Sequence, residues 1–517
     1  MVPFLFRLGE FSGNVMQRRD FLLGVSAMAL AGATKPASAA MDEFVSYDGM
    51  GQAALVRNGE VSSLELVEAA IKRIEWLNPA LNAVVHKLYD EGRTAAQGDL
   101  PDGPFKGVPY LIKDLQELKG APLTYGSKLF EHNIADFDSG SVLRAKKAGL
   151  VIIGKTNTPE FGFVSTTESQ LLGAARNPYN PAFHAGGSSG GAGVAVASGM
   201  VPFAHASDGG GSIRIPASVN GLVGLKPTRH RLYMNTAPSV DADISVRLAV
   251  SRSVRDTAQI LNATEKKGSA ANYKPTGFIS GPSEKRLKIA LYTKTFEGRE
   301  PHPDVKGVTE RAAILCEDLG HKVEAVETAV VVDNDFLDQF MNVWSYSAYN
   351  LVKNARLIGL MQGRWVNPDS MLEPFSLGMA ELYGSRKAKD PDLDKKANEY
   401  VRKVEADYRT FFENYDVILS PVLFKPPLLI GEQGSHKSFE DVFASVNEYV
   451  AYTAQYNASG NPAISLPLYT SRTGMPIGTQ FAAAHGEEAT LLHLAYELEE
   501  ALPWKNRWPE ISARKLP

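Results

Sequence analysis

The sequence predicts an α/β enzyme built on a sheet with helices on both faces, and two observations lead to this fold class. The chain has 517 residues, of which 44% are hydrophobic and 22% charged, and its formal net charge is −4. This composition is typical of a globular enzyme and excludes disordered and fibrous proteins. Short apolar runs bounded by Gly, Pro or charged residues alternate with helical patterns, which favours such a sheet. These runs lie at 108–112, 150–153, 288–293 and 415–419.

The clearest helix is predicted to begin after Ser62. Glu65 follows three residues later, which makes a capping box, and Pro79 is expected to end the helix. Its buried stripe is predicted to consist of Leu64, Val67, Ile71, Ile74 and Leu77. The segment 264–286 is the best candidate for an exposed connector.

Composition also argues against some classes of ligand. A lone cysteine, Cys316, cannot close an intrachain disulfide, and the ten histidines form neither an HExxH pair nor a Cys/His cluster. No run of Lys and Arg is present, which argues against binding to phosphate backbones. We therefore expect no zinc site and no nucleic-acid partner.

The first 39 residues resemble a twin-arginine export signal. Arg18 and Arg19 precede an apolar stretch at 21–33, and Ala37-Ser38-Ala39 fits a cleavage site. About 13 apolar residues are fewer than the roughly 20 that span a bilayer, so a cleaved signal is favoured over a membrane anchor or an uncleaved helix. We expect a signal peptide at 1–39, a catalytic domain at 40–517 and a periplasmic or secreted protein.

Three glycine-containing patterns are candidates for the functional site. Residues 149–156 read GLVIIGKT and match a phosphate-binding loop, but β-branched residues at 151–153 favour a strand. The run from Gly186 to Gly190 matches G-x-S-x-G and would make Ser188 the nucleophile of an α/β-hydrolase-type esterase. That chemistry needs a later histidine, and the candidates are His205, His230, His302 and His321.

The third pattern places Ser212 directly after three glycines, Gly209 to Gly211, which follow Asp208. Glycines leave backbone N–H groups uncovered, as an oxyanion hole requires. A glycine-rich structural turn is the alternative interpretation of this segment.

Taken together, the motifs resemble those of the amidase signature family of serine hydrolases. They are VPYLIKDL, LVIIGKTNTPEFG, RNPYNP, GGSSGG, SDGGGSIRIPAS, GLVGLKPT, NASGNPAISLP and MPIGTQF. Within the family, the chain is most similar to 6-aminohexanoate cyclic dimer hydrolases and related amidases. The resemblance implies one domain around a large mixed sheet. It also implies an amidase that hydrolyses C–N bonds other than peptide bonds, without metal or cofactor.

The resemblance also implies roles for individual residues. Lys113 matches the base, Ser188 a bridging serine preceded by a cis peptide, and Ser212 the nucleophile. The oxyanion-hole segment matches Gly209, Gly210 and Gly211, and residues supporting the loop match Asp208 and Arg214. A lysine acts as a base only when it is neutral, so Lys113 must be desolvated, which its apolar neighbours favour.

Two other functions stay open besides the esterase. One is an ammonia-releasing amidase like the glutamine-hydrolysing component of a glutamine amidotransferase, although the export signal argues against this function. The other is a binding or structural protein that keeps the scaffold but has no catalytic activity. We expect a small-molecule amide substrate, no stable membrane anchor and, as an assembly, a homodimer. Four aromatic residues are candidate pocket walls, although most are expected to belong to the core: Phe340, Trp344, Tyr346 and Tyr349.

Overall fold

A mixed sheet of eight strands lies at the centre of the computed structural model, which describes residues 43–233, 243–327 and 332–515. In chain order, the strands are β1 (Val84–Lys87), β2 (Pro109–Lys113), β3 (Val151–Thr156), β4 (Glu168–Ser169), β5 (Gly173–Ala174), β6 (Phe203–Asp208), β7 (Val223–Lys226), β8 (Val246–Ser251), β9 (Lys288–Leu291), β10 (Lys322–Ala325), β11 (Val417–Pro421), β12 (Ala463–Thr470) and β13 (Pro476–Ala483). The sheet order is β10-β9-β11-β13-β12-β7-β8-β6. The β10–β9 and β9–β11 pairs are parallel and the other pairs antiparallel, so the predicted mixed sheet is confirmed.

A smaller sheet of three strands has the order β1-β3-β2. All six residues of β3 are buried, so GLVIIGKT contributes a core strand, as its β-branched residues predict. The runs predicted at 108–112 and 150–153 are thus strands, displaced by one to three residues at their ends.

Helices pack on the sheet and are longest in the second half of the chain. They are α1 (Gly49–Arg57), α2 (Ser63–Leu81), α3 (Tyr89–Gln97), α4 (Gly140–Lys147), α5 (Gly190–Ala197), α6 (Arg214–Asn220), α7 (Val254–Thr264), α8 (Pro303–Asp318), α9 (Phe336–Met361), α10 (Pro368–Met371), α11 (Pro374–Lys389), α12 (Leu393–Phe411), α13 (Phe439–Tyr449), α14 (Ala454–Ser459) and α15 (Glu488–Ala501). Together with the mixed sheet, they give the α/β class that the alternating pattern predicts.

Helix α2 shows where local sequence rules succeed and where they fail. The capping box between Ser62 and Glu65 is present. The predicted end at Pro79 is wrong, because the helix continues to Leu81 and is capped by Asn82 in a left-handed conformation, with φ 50°. Proline is tolerated there because its missing N–H removes only one bond of the last turn. Leu64 is half-buried, and Leu66 is buried instead.

Two ends of strands and one helix start define the site. Strand β2 ends at Lys113, β6 ends at Asp208, and α5 begins just after Ser188 and Ser189.

Among the described residues, no helix is both long and apolar enough to cross a bilayer. The segment predicted as a signal peptide, residues 1–39, lies outside the described residues.

Candidate active site

Lys113 is fully buried at the end of β2 and is surrounded by serine hydroxyls. Its Nζ lies 2.7 Å from Ser188 Oγ, 2.9 Å from Ser189 Oγ and 3.1 Å from Ser207 Oγ. Burial lowers the pKa of Lys113 well below its ordinary value of 10.5, against an opposing effect of the Asp208 carboxylate. Burial thus shifts Lys113 towards the neutral form, which is the form that a base requires.

The loop that carries Ser188 has unusual backbone geometry. The Gly187–Ser188 peptide is cis, as the family resemblance implies. The N–H of Gly186 donates to Nδ1 of His184 at 2.7 Å. A side chain at Gly187 would lie 2.4 Å from the Thr166 carbonyl oxygen, so only glycine fits at this position.

Asp208 organises the loop in front of Ser212. Its carboxylate accepts hydrogen bonds from the backbone N–H groups of Gly211 at 2.7 Å and Ile213 at 3.1 Å. It also accepts from Arg214 Nε at 3.0 Å and Nη2 at 2.9 Å, and from Asn457 Nδ2 at 2.9 Å. Burial alone would raise its pKa, but Arg214 and the other donors lower the pKa of Asp208 to about 2. The carboxylate is therefore ionised, and it holds the backbone on both sides of Ser212 through the Gly211 and Ile213 N–H groups.

Arg214 extends this network to distant parts of the chain. It donates to the Thr453 carbonyl at 3.0 Å, to Gln480 Oε1 at 2.8 Å and to Asn457 Oδ1 at 2.6 Å. Asp208 and Arg214 therefore lie where the resemblance predicts supports for the loop. Ser189, Ser207, Thr453, Asn457 and Gln480 were not singled out from the sequence. Four of these residues lie in the recognised motifs, namely Ser189 in GGSSGG, Ser207 in SDGGGSIRIPAS, Asn457 in NASGNPAISLP and Gln480 in MPIGTQF, whereas Thr453 lies outside them.

Ser212 and Gly210 line a cavity of about 290 Å³. Its other walls are mostly apolar and include seven aromatic residues: Phe163, Phe296, Phe336, Phe340, Trp344, Phe375 and Phe443. Three of these residues occupy successive turns of α9, with ring centroids 5.7 Å apart between Phe336 and Phe340 and again between Phe340 and Trp344. The cavity therefore offers a long apolar surface that leads to Ser212.

The charged residues that line the cavity are paired. Arg299 Nε donates to Glu297 at 2.7 Å, and Lys425 Nζ, from outside the lining, donates to Glu448 at 2.9 Å. Among the candidate wall residues, Phe340 and Trp344 do line the cavity. Tyr346 and Tyr349 instead pack on Tyr383 at centroid distances of 5.5 and 5.0 Å, as expected for core residues.

The geometry favours a lysine partner over a histidine partner for Ser188. Two of the four candidate histidines have other roles: His302 caps α8, and His321 accepts from the Leu287 N–H at 3.0 Å. His205 is buried, and neither of its ring nitrogens has a hydrogen-bond partner among the described residues, so it makes no hydrogen bond to Ser188. Within the described ranges, no group of three or more His, Cys, Asp or Glu residues is placed to hold a metal ion.

A family comparison agrees with this arrangement. The model of the family described as Amidase matches residues 65–492, most of the chain. The chain belongs to the amidase family. It is therefore an enzyme of the amidase class, a hydrolase that acts on carbon–nitrogen bonds.

Individual members of the family and one solved structure are similar to this chain over most of their length. The chain is 38% identical over 465 residues to "Putative amidase AmiC" of Mycobacterium tuberculosis, with 90% of this chain and 96% of that protein covered. It is 36% identical over 507 residues to the 6-aminohexanoate-cyclic-dimer hydrolase of Paenarthrobacter ureafaciens, with 91% and 98% covered. A solved structure of 6-aminohexanoate cyclic dimer hydrolase complexed with substrate superposes with a TM-score of 0.82 at 33% identity, with 90% of this chain and 99% of that chain covered.

Proposed function

We propose that this amidase cleaves a small uncharged carboxamide through an acyl-enzyme on Ser212, with Ser188 and Lys113 as its proton relay. One observation carries the proposal: Lys113 is buried, its pKa is lowered, and its Nζ lies 2.7 Å from Ser188 Oγ. Ser212 lines the adjoining cavity and follows the glycine loop.

The hydrogen bonds of the serines indicate the direction of proton transfer. A neutral amine has two N–H donors and one lone pair, so one neighbouring hydroxyl must donate to it. Ser189 Oγ donates to the Ser207 carbonyl at 3.2 Å and therefore accepts from Lys113. Ser188 Oγ lies nearest to Nζ, at 2.7 Å, and we assign it as the hydroxyl that donates to the neutral amine. A proton taken from Ser212 by Ser188 would pass along this bond to the amine.

In the first step, Ser212 Oγ forms a bond to the substrate carbonyl carbon while its proton passes through Ser188 to Lys113. The proton then returns to the leaving nitrogen, and the C–N bond breaks to give the acyl-enzyme and a free amine or ammonia. Water attacks the acyl group in the same way, yielding a carboxylic acid and regenerating Ser212. No metal or organic cofactor enters these steps.

Backbone N–H groups of the glycine loop would stabilise the negative oxygen of the tetrahedral intermediate. The Gly211 N–H is already held by Asp208 at 2.7 Å. We therefore assign the oxyanion hole to the N–H groups of Gly209 and Gly210, of which Gly210 lines the cavity.

The cavity supports an apolar, uncharged substrate. Its walls are largely apolar, and its charged lining residues Glu297, Arg299 and Glu448 already have ionic partners. Free glutamine carries two charges that would enter this cavity without free partners, at a desolvation cost. An amidotransferase-like glutaminase is therefore disfavoured, whereas alkyl or aryl amides and the uncharged 6-aminohexanoate cyclic dimer are suitable probes.

The test is product release from a panel of amides by the purified protein. We expect turnover of hexanoyl 4-nitroanilide or of the 6-aminohexanoate cyclic dimer, and little turnover of glutamine. Ser212→Ala should abolish turnover, whereas Ser385→Ala, which changes an exposed serine on α11, should leave it unchanged. Full activity of Ser212→Ala would overturn the assignment.

Export and assembly are proposed on separate grounds. The Arg18-Arg19 motif and the apolar stretch support a periplasmic or secreted enzyme cleaved near Ala39. We further propose a homodimer in solution. Terminal sequencing of the exported protein tests the cleavage, and light scattering coupled to gel filtration tests the homodimer.

A further inference from the structure

The peptide unit that joins Gly210 to Gly211 is held at both ends by buried groups. Thr453 Oγ1 donates to the Gly210 carbonyl at 2.6 Å, and the Gly211 N–H donates to Asp208 Oδ1 at 2.7 Å. Thr453 and Asp208 are both fully buried. Both hydrogen-bonding groups of this peptide are therefore fixed immediately before Ser212.

This peptide needs such restraint because it lies between two glycines. Without Cβ atoms, its two flanking torsions meet few steric barriers, and Gly211 has a φ of +135°, which few other residues adopt. If the peptide turned over, its carbonyl would leave Thr453 and its N–H would leave Asp208. Ser212 is the next residue, so its hydroxyl would move with the peptide.

Thr453 is itself held in place. Its carbonyl accepts from Arg214 Nη1 at 3.0 Å, and Arg214 also binds Asp208. A Cβ added to Gly211 would lie 2.4 Å from Thr453 Oγ1, which shows how closely the threonine packs on the loop. Ala451 and Ala454, on either side of Thr453, line the substrate cavity.

We infer that the Thr453 hydroxyl is a positioning group that fixes the Gly210–Gly211 peptide, and through it Ser212 and the oxyanion hole, in the reactive arrangement. The inference rests on the proposed function, because it assigns Thr453 a role in that reaction. Thr453 acts on the reaction only through the Gly210–Gly211 peptide, and it does so through its hydroxyl group.

The test measures the second-order rate constant for modification of the enzyme by phenylmethanesulfonyl fluoride, which requires no knowledge of the natural substrate. Thr453→Val keeps the volume but loses the hydroxyl, and we expect the rate constant to fall about 10- to 100-fold, the cost of displacing a reacting group by about 1 Å. Thr453→Ser should keep most of the wild-type rate, whereas Thr453→Ala should fall with Thr453→Val. With any substrate from the amide panel, kcat should fall and KM should change little.

Thr479→Val is the matched control. Thr479 is also fully buried, and its Oγ1 has no hydrogen-bond partner among the described residues, so its loss should not slow the modification. If Thr453→Val does not fold, the Ser and Ala variants decide, because both lose the methyl group and only one keeps the hydroxyl. Equal rates for those two variants, or a wild-type rate in Thr453→Val, would overturn the inference. A wild-type enzyme that is not modified at Ser212 would instead contradict the proposed function.

Discussion

Replacing Lys113 with methionine should separate the two proton transfers that the relay performs. Methionine has a similar length and keeps the buried site filled, but it accepts no proton. A positioned acid or base contributes about 10²- to 10⁴-fold to a rate. Ester cleavage needs the lysine mainly to take the Ser212 proton, whereas amide cleavage also needs a proton on the leaving nitrogen. With about 100-fold for each transfer, ester kcat/KM should fall about 10²-fold and amide kcat/KM about 10⁴-fold.

The assay compares 4-nitrophenyl hexanoate with hexanoyl 4-nitroanilide as a function of pH. The neutral form of Lys113 is the active one, so wild-type kcat/KM should rise about tenfold for each pH unit and then become constant. Because burial lowers the pKa of Lys113, this rise should lie well below pH 10.5. Lys113→Met should lose the rise, and Lys119→Met, at an exposed position, should keep it. Equal losses on ester and amide would remove the leaving-group role from Lys113, and unchanged rates would remove it from the site.

Three further predictions concern the loop and export. Asp208 has a pKa of about 2 instead of the usual 3.8, so its ionised form stabilises the fold by about 2.4 kcal/mol at neutral pH, and this contribution is lost as pH falls from about 5 to about 1. The gap in unfolding free energy between wild type and Asp208→Asn, measured by urea denaturation, should shrink by that amount over this range; a constant gap would refute the role of the charge. Gly211→Ala should be inactive and should melt at a lower temperature, because its Cβ would lie 2.4 Å from Thr453 Oγ1, whereas Gly307→Ala, on an open face of α8, should keep activity and melting temperature. Replacing Arg18 and Arg19 by lysine should leave precursor in the cytoplasm, and normal export of that variant would refute the twin-arginine route.

Local sequence rules predicted those parts of the fold that local chemistry determines. The capping box at Ser62 and the β-branched strand at 151–156 depend on neighbouring residues only, and both are present. Pro79 misled the prediction because a proline in a final turn costs too little to end a helix. The sheet order could not be predicted, because the neighbours β6 and β8 or β7 and β12 are joined by long-range pairing that leaves no local pattern.

In the candidate site too, some residues could be predicted from local motifs and others depend on long-range contacts. Lys113, Ser188 and Ser212 lie in motifs that could be recognised, and the structure brings Lys113 and Ser188 within 2.7 Å. Thr453 lies 239 positions from Arg214 and outside every recognised motif. Gln480 lies 266 positions from Arg214 in the motif MPIGTQF, but nothing in that motif indicates that its side chain contacts Arg214. On α9, a spacing of four residues places Phe340 and Trp344 on one face, towards the cavity, whereas Tyr346 and Tyr349 turn towards Tyr383.

The most direct test of the proposed mechanism is to identify the serine that becomes covalently modified. The purified enzyme would be treated with a fluorophosphonate, digested and mapped by mass spectrometry. We predict one adduct, on Ser212, that is absent in Ser212→Ala and forms more slowly in Lys113→Met. An adduct on Ser188, or an unchanged adduct in Ser212→Ala, would contradict the assignment of Ser212 as the nucleophile.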